Sequence, residues 1–280
     1  MQIVDSQIHL WTSGTPGGTH QKLPYTMDDA LAAMDAAGVD ASVVVPPPWD
    51  VDANAVALEA ARRRPGRFAV VGNLAAGDPT GPAQLATWTD RPGMLGARVA
   101  FSAPKDRALL EGDALDSLWS AAAAAKLPLM VFAPGSLPAI EAVARRHPEL
   151  PIALDHMGLV TGTTDDAAFA PVLAQLAALA RHPNVAIKLS SAPIYSSEPY
   201  PYRNIAGHLH EIFAAFGPAR CFWGTDITRL SCSWRQCVTH FTEELPWLTG
   251  ADQELVMGQA VCNWLGWDRA PGPDQGAGTS

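Results

Sequence analysis

Short apolar runs alternate with longer amphipathic stretches along almost the whole chain. The short runs are rich in Val, Ile, Leu and Phe and are bounded by turn-forming residues, which is typical of β-strands. Eight strands are predicted, at Ile3–His9, Ala41–Val45, Phe68–Asn73, Gly96–Phe101, Leu127–Phe132, Ile152–His156, Val185–Ser190 and Arg220–Gly224. Runs such as Val43–Val45 are continuously apolar. This pattern favours parallel strands that are covered on both faces.

Stretches with helical periodicity separate these strands. The main predicted helices are Met27–Ala37, Ala53–Arg63, Leu115–Ala125, Leu137–Arg146, Ala168–Arg181 and Ile205–Phe216. The strand starts lie roughly 25–40 residues apart, which leaves room for one strand, one helix and two loops in each unit. The pattern therefore predicts a single-domain α/β fold, a (β/α)₈ TIM barrel over residues 1–269.

Two features at the ends of the chain refine this prediction. Extra helices at Cys237–Leu245 and Ala251–Leu265 are predicted to close the C-terminal side of the barrel, and the Gly- and Pro-rich tail 270–280 is predicted to be disordered. A doubly wound sheet is the alternative fold. It is disfavoured because no glycine-rich nucleotide-binding loop follows the first strand.

The composition narrows the class of partner. A net charge of −9 and an isoelectric point near 5.3 argue against nucleic acid and anionic membranes. No apolar run reaches the roughly 20 residues of a membrane helix, and the N-terminus does not resemble a signal peptide. The four cysteines show no C-x-x-C spacing. We therefore predict a cytoplasmic protein with a small-molecule substrate; a homo-oligomer remains open.

Polar residues gather at the predicted strand ends, where barrels of this kind carry their chemistry. They are Asp5, Gln7, His9, Arg98, Asp155, His156, Lys188, Ser190 and Asp226. Each has a structural alternative: a lone histidine is more often a hydrogen-bonded core residue, Asp226 can cap the next segment, and Lys188 can pair with a carboxylate. Several such groups at one barrel mouth would be costly to bury without a function. Together they predict an active site.

Four segments carry a resemblance to a known family: Val4–Trp11, Leu154–Gly158, Asn184–Ser190 and Trp223–Asp226. The closing segments Val256–Ala260 and Trp264–Gly266 resemble the same family. The chain resembles the amidohydrolase superfamily, in particular the amidohydrolase-related branch with 2-pyrone-4,6-dicarboxylate lactonase and sugar lactonases. The resemblance implies a TIM-barrel hydrolase.

The resemblance also assigns roles to individual residues. It makes Gln7 and His9 the site pair of the first strand, His156 the sixth-strand histidine, and Asp226 the aspartate that activates water. Arg98 matches the basic residue of strand 4. Arg229 stands where relatives often have a histidine, three residues after the aspartate.

Two departures from the family pattern bear on metal binding. Gln7 replaces a histidine, and strand 5 (Met130–Ala133) has no histidine at all. Zinc sites in enzymes use three protein ligands, and an amide oxygen is a poor one. A site that requires no cofactor is therefore favoured. Zinc is the alternative, held by His9, His156 and Asp226.

The expected reaction is the opening of a lactone, or a cyclic ester or amide, of a small anionic substrate. Asp226 would act as general base, with His9 and His156 polarising the carbonyl. Gln7, Arg98, Lys188, Arg229 and Tyr195 are the expected substrate-binding residues. A zinc-dependent decarboxylase of an aromatic or unsaturated acid is the main alternative, and a non-catalytic barrel is another.

Some residues receive no definite role. The Tyr-rich loop 191–203 after strand 7 either covers the mouth or forms a rigid surface loop, and the sequence does not favour one of these. Five histidines lie in loop or helix stretches and are assigned no function: His20, His182, His208, His210 and His240.

Overall fold

Eight parallel strands follow one another around a nearly closed barrel, in the order β1 to β8. The structure is a computed structural model that describes residues 1–268, so the predicted disordered tail 270–280 lies outside the described residues. The strands are β1 (Val4–Ile8), β2 (Ala41–Val44), β3 (Phe68–Leu74), β4 (Met94–Ala100), β5 (Leu129–Phe132), β6 (Ile152–Leu154), β7 (Val185–Ser190) and β8 (Cys221–Gly224). The prediction of a (β/α)₈ TIM barrel is confirmed.

Helices connect the strands and surround the barrel. They are α1 (Met27–Ala37), α2 (Ala53–Arg63), α3 (Gly81–Leu85), α4 (Pro104–Ala108), α5 (Asp116–Ala124), α6 (Leu137–Arg146), α7 (Asp166–Leu179), α8 (Ala206–Phe216), α9 (Trp234–Glu243), α10 (Gly250–Glu254) and α11 (Ala260–Leu265). Within residues 1–268, no helix combines the length and the apolar character that crossing a membrane would need.

Local sequence explains where these helices begin and end. At α1, the Thr26 hydroxyl accepts the Asp29 amide while the Asp29 carboxylate accepts the Thr26 amide, which forms a capping box. The helix ends at Gly38, whose φ of 76° suits a residue without a Cβ. At α9, Ser233 and Gln236 form a second capping box.

The first and last strands meet at a close contact. A Cβ on Gly224 would lie 2.5 Å from Ser6 Oγ and 3.2 Å from the Gln7 nitrogen, so β8 can approach β1 only with glycine there. Just beyond it, the Asp226 amide donates to the Gln7 carbonyl at 2.7 Å. This contact fixes Asp226 beside the end of β1.

The last helices occupy a different place from the predicted one. Ala260, Val261 and Leu265 of α11 pack with Val4 and Phe222 of the barrel interior, and Gly258 lies against the backbone at Gln2 and Val4. These contacts are at the N-terminal end of the strands. The prediction that the Ala251–Leu265 helix closes the C-terminal side is wrong, because the apolar strand starts need a cover. The polar C-terminal end is left as the mouth.

Candidate active site

The polar residues singled out in the sequence converge at the C-terminal ends of the strands and on the loops that follow. Two groups can be distinguished. The mouth cluster consists of His9, His20, His156 and Asp226, and the floor cluster below it consists of Gln7, Arg98, Asp155 and Lys188. All of these side chains except His20 are buried or nearly so.

Three strands end in an unusual backbone conformation at the mouth. His156, Ser191 and Asp226 follow β6, β7 and β8 with φ of 51°, 59° and 55°. Residues with a Cβ rarely adopt this left-handed region, and each instance costs of order 1–3 kcal/mol. The strain turns the His156 and Asp226 side chains toward a common point, where His156 Nε2 lies 3.6 Å from Asp226 Oδ2.

The facing atoms of His9 and Asp226, Nε2 and Oδ1, are both hydrogen-bond acceptors. The His9 Nδ1–H donates to the Val45 carbonyl at 2.5 Å, because a carbonyl oxygen can only accept. Burial lowers the pKa of His9, outweighing the opposing charge of Asp226, so the imidazole is neutral and Nε2 carries a lone pair. This nitrogen lies 3.4 Å from Asp226 Oδ1, a buried oxygen with no hydrogen-bond partner in residues 1–268. The gap between two acceptors calls for a proton donor or a cation.

His156 sits on the other side of the Asp226 carboxylate. The Ser190 hydroxyl accepts the His156 amide at 3.3 Å and lies 2.7 Å from His156 Nδ1. Burial lowers the pKa of His156 to about 3, so this ring is neutral as well. If the Ser190 hydroxyl donates to Nδ1, the proton of the ring stays on Nε2, facing Asp226 and the mouth.

The sequence reasoning missed His20. Its ring lies edge-on to His9, with centroids 5.3 Å apart, and its Nδ1 is 3.0 Å from Thr228 Oγ1. Burial lowers its pKa to about 4, which keeps it neutral. A usable signal existed: in a parallel barrel the loop from β1 to α1 leaves from the C-terminal end, so every residue of that loop starts at the mouth.

Several contacts hold the His20 loop against its neighbours. Asp50 accepts the amides of Thr12 and Ser13 at 2.8 and 3.0 Å. A Cβ on Gly14 would lie 1.9 Å from the Trp49 carbonyl, so the loop lies flat on the β2–α2 connection only with glycine at this point. At its far end the Gln21 amide donates to the Thr228 carbonyl at 2.8 Å. The loop is therefore pinned to both flanking connections.

His9, His20 and Asp226 could hold a metal ion, since their ligand atoms all lie within 4.8 Å of one another. Two neutral imidazoles and a carboxylate are a typical zinc ligand set, and each histidine has its Nδ1 engaged by another residue, as metal-binding histidines usually do. A tetrahedral ion with bonds near 2.0–2.1 Å separates neighbouring N and O ligands by about 3.3 Å. The 3.4 Å between His9 Nε2 and Asp226 Oδ1 fits this value.

This ligand group differs from the one that the sequence predicted. The expected set was His9, His156 and Asp226. In the described residues, His20 takes the place of His156, which contacts the opposite oxygen of the carboxylate. The reason is the loop after β1: the strand pattern places this loop at the mouth but does not determine where His20 lies within it.

The floor cluster is a buried ion network. Asp155 lies between two basic side chains: the Arg98 Nε–H donates to Oδ2 at 2.9 Å, and Lys188 Nζ forms an ion pair with Oδ1 at 3.0 Å. Burial acts to raise the pKa of Asp155, but Lys188 and Arg98 outweigh it and hold the pKa far below its usual range. Burial lowers the pKa of Lys188. Two basic side chains in this cluster therefore share one carboxylate.

Lys188 also orients Gln7. Its ammonium group, which can only donate, hydrogen-bonds Gln7 Oε1. The Gln7 Nε2 group therefore points elsewhere, and it is buried without a partner in the described part of the chain. Since the amide oxygen is occupied, Gln7 cannot serve as the missing metal ligand and is available only as a donor. Direct contact between Lys188 and a substrate stays a prediction.

Arg229 and Tyr195 complete the predicted set. Arg229 Nη1 lies 3.5 Å from Asp226 Oδ2, with the side chain 14% exposed. The Tyr195 hydroxyl donates to the Leu159 carbonyl at 3.4 Å and the residue is buried. The Tyr195 hydroxyl is thus used within the protein, whereas Arg229 reaches the mouth.

Asp5 has a supporting place on the outer side of β1. Its carboxylate accepts the Thr225 hydroxyl at 2.5 Å, the Thr225 amide at 2.9 Å and the Trp234 indole N–H at 2.9 Å. Burial raises its pKa to about 6 despite these donors. Asp5 ties β1 and α9 to the residue that precedes Asp226.

An eight-stranded barrel with histidine and aspartate side chains at the C-terminal strand ends defines the class of TIM-barrel enzymes. Within this class, the family model described as amidohydrolase matches residues 4–279, and the chain belongs to that family. The resemblance seen in the sequence and the expectation of a hydrolase are confirmed at this level.

Individual relatives share the whole length of the barrel. L-fucono-1,5-lactonase from Burkholderia ambifaria is 26% identical, covering 98% of both chains. The crystal structure of an amidohydrolase from Burkholderia multivorans with bound zinc superimposes with a TM-score of 0.81 at 23% identity, covering 95% of this chain and 99% of that one. A probable 2-pyrone-4,6-dicarboxylic acid hydrolase from Acinetobacter baumannii has a TM-score of 0.72 at 17% identity, covering 95% and 100%.

Proposed function

We propose that this protein hydrolyses the lactone ring of a small molecule. The observation that carries the proposal is the pair of facing acceptors, His9 Nε2 and Asp226 Oδ1, 3.4 Å apart at the mouth. A water molecule can donate one proton to each and is then held for attack on a carbonyl. The names of the lactonase and pyrone hydrolase relatives support a cyclic ester as the group attacked.

Asp226 acts as the base in this proposal. It takes a proton from the water as the oxygen attacks the lactone carbonyl carbon, and it returns a proton to the ring oxygen when the C–O bond breaks. The product is the open hydroxy acid. The hydrogen bond from the Asp226 amide to the Gln7 carbonyl, at 2.7 Å, keeps the carboxylate in place throughout.

Hydrogen-bond donors near the mouth stabilise the negative charge that forms on the carbonyl oxygen. His156 Nε2–H and Gln7 Nε2–H are the candidates, and each such donor contributes about 3–4 kcal/mol in comparable sites. Arg98 and Arg229 are the groups placed to bind a carboxylate or hydroxyl of the substrate, with Arg98 held by Asp155 through Nε alone.

Zinc fits the same residues. His9, His20 and Asp226 would hold it, and a bound zinc ion would supply a water of lowered pKa and a Lewis acid for the carbonyl. The residues around it would keep their roles: His156 and Gln7 donate, and Arg229 stays beside the carboxylate. Turnover without any metal, the sequence-based expectation, is tested by the same assay after treatment with a chelator.

A panel of small lactones tests the function. We expect proton release, followed with a pH indicator, from 1,5- or 1,4-aldonolactones or from a carboxylated pyrone, and no carbon dioxide from aromatic carboxylic acids. Each substrate is run on protein as purified and after chelation. Carbon dioxide release without lactone hydrolysis would support the zinc-dependent decarboxylase alternative instead.

The ligand group makes a separate prediction about zinc itself. His20→Asn is expected to lower zinc affinity by about 10- to 100-fold or more, because it removes one of three ligands. His156→Asn should leave the affinity within a few-fold, since His156 lies outside the group. Zinc binding is measured by competition with a chromophoric chelator, and His182→Asn, on the outer surface, is the control. A loss with His156→Asn but not with His20→Asn would restore the set predicted from sequence.

A further inference from the structure

Two of the four cysteines lie side by side where the connection from β8 enters α9. Cys232 Sγ is 3.6 Å from Cys237 Sγ. Cys232 is half-buried and directly precedes Ser233, the N-cap of α9, while Cys237 is buried in the first turns of that helix. Neither residue has a part in the proposed hydrolysis. The pair is therefore a feature that the active site does not explain.

The surroundings give the two thiols different chemistry. The Cys232 and Cys237 thiols share a hydrogen bond in which either sulfur can donate, and the Tyr202 hydroxyl also hydrogen-bonds Cys232. These bonds, the first above all, lower the pKa of Cys232 to about 6 against the effect of burial, while the same contact raises the pKa of Cys237. Cys232 is the more accessible of the two and is therefore the candidate nucleophile, and Cys237 Sγ, 3.6 Å away, is close enough to resolve it.

The connection that carries Cys232 also supports the mouth. Thr228 contacts His20 Nδ1 through its hydroxyl and accepts the Gln21 amide through its carbonyl. Arg229 lies beside Asp226. Tyr202, which contacts Cys232, closes the Tyr-rich loop, so the thiol pair lies where two mouth loops meet α9.

We propose that Cys232 and Cys237 form a site of reversible oxidation to a disulfide. The Cys232 thiolate attacks one oxygen of a hydroperoxide and the O–O bond breaks. Water or an alcohol leaves, and Cys232 becomes a sulfenic acid. The Cys237 sulfur then attacks the sulfenic sulfur, an S–S bond forms, and a second water leaves. Two thiols are oxidised and one peroxide is reduced, and a dithiol reductant reverses the change.

Forming the bond draws the sulfurs from 3.6 Å to about 2.05 Å. The shift falls on the connection that also carries Thr228, which contacts His20, and Arg229, which lies beside Asp226. The proposed disulfide does not depend on the proposed lactone hydrolysis. Only an effect of oxidation on turnover would depend on it.

Intact mass and thiol counting after peroxide treatment test the site. Reduced protein has four cysteines, and we expect oxidation to remove two titratable thiols and the mass of two hydrogen atoms. Peptide mapping should place the crosslink at Cys232–Cys237, and dithiothreitol should restore both thiols.

Three variants make the result specific. In Cys237→Ser, oxidation should stop at oxygen adducts on Cys232. Cys232→Ser should slow peroxide consumption at least 10-fold. Cys262 is half-buried like Cys232, so Cys262→Ser is the matched control and should behave as wild type. A wild-type protein that keeps four thiols under the same treatment would overturn the proposal. A crosslink through Cys221 or Cys262, or between two chains, would do so equally.

Discussion

Asp226→Asn is expected to lower kcat/KM for a lactone substrate by about 10³-fold while the barrel stays folded. The asparagine has the same shape but cannot take a proton from water. Its NH₂ group can also donate to His9 Nε2, across the gap where two acceptors now face each other. The asparagine NH₂ group thereby occupies the position proposed for the attacking water or the metal ion. Steady-state kinetics with the best lactone of the panel measure the loss.

The control for this variant is an aspartate of the surface. Asp113→Asn, at an exposed side chain paired with Arg146, should leave kcat/KM within two-fold and the unfolding midpoint unchanged. Thermal unfolding of Asp226→Asn should remain cooperative but have a lower midpoint than wild type, because Arg229 loses its carboxylate partner and the lowered pKa of Asp226 means that the folded state favours the charged form. Retention of more than a tenth of the activity by a folded Asp226→Asn protein would rule out the aspartate as base.

The strand pattern predicted most of the fold because each β-strand is buried by its own neighbours. The ends of β7 agree with the prediction to the residue, and β6 ends two residues early because His156 turns into the left-handed region. Parallel order then brings the strand ends together without further information, which is why His9, His156 and Asp226 could be placed at one mouth from sequence.

Loop paths could not be predicted in the same way. His20 lies far from any strand end in sequence, and its position depends on Gly14, Asp50 and Thr228, which are contacts between loops. The position of α11 was misjudged for a related reason. A helix pattern shows which face is apolar, but not which end of the barrel that face covers.

The charged floor residues show a third limit. Sequence indicated cations at Arg98 and Lys188 and suggested substrate binding, but it could not show that Asp155 separates them. A buried cation that is paired with a carboxylate serves to stabilise the fold or to position neighbouring side chains before it serves to bind a substrate. Lys188 thus orients the Gln7 side chain. This accounts for a glutamine where the family pattern has a histidine: the amide oxygen accepts from Lys188, and only the NH₂ group is free to donate.

Asp155→Asn is expected to destabilise the protein by about 3–5 kcal/mol, because it leaves Arg98 and Lys188 buried without a carboxylate. The loss should shrink as pH rises. Burial already lowers the pKa of Lys188 in the folded state, and without Asp155 that pKa falls further. The unfolded chain then binds more protons than the folded one, so stability increases with pH. Urea unfolding of wild type and variant between neutral and alkaline pH measures both effects.

Two comparisons separate this ion network from ordinary pairing. Asp35→Asn removes the partner of Arg67 in an exposed pair with a similar distance, 2.6 Å, and should change stability by no more than about 1 kcal/mol. Adding Lys188→Met to Asp155→Asn should recover part of the stability, since the second change removes one of the two buried cations left unpaired. If Asp155→Asn costs no more than Asp35→Asn, the floor cluster contributes nothing beyond a surface pair. In that case Asp155 does not hold Arg98 and Lys188 in a buried ion network.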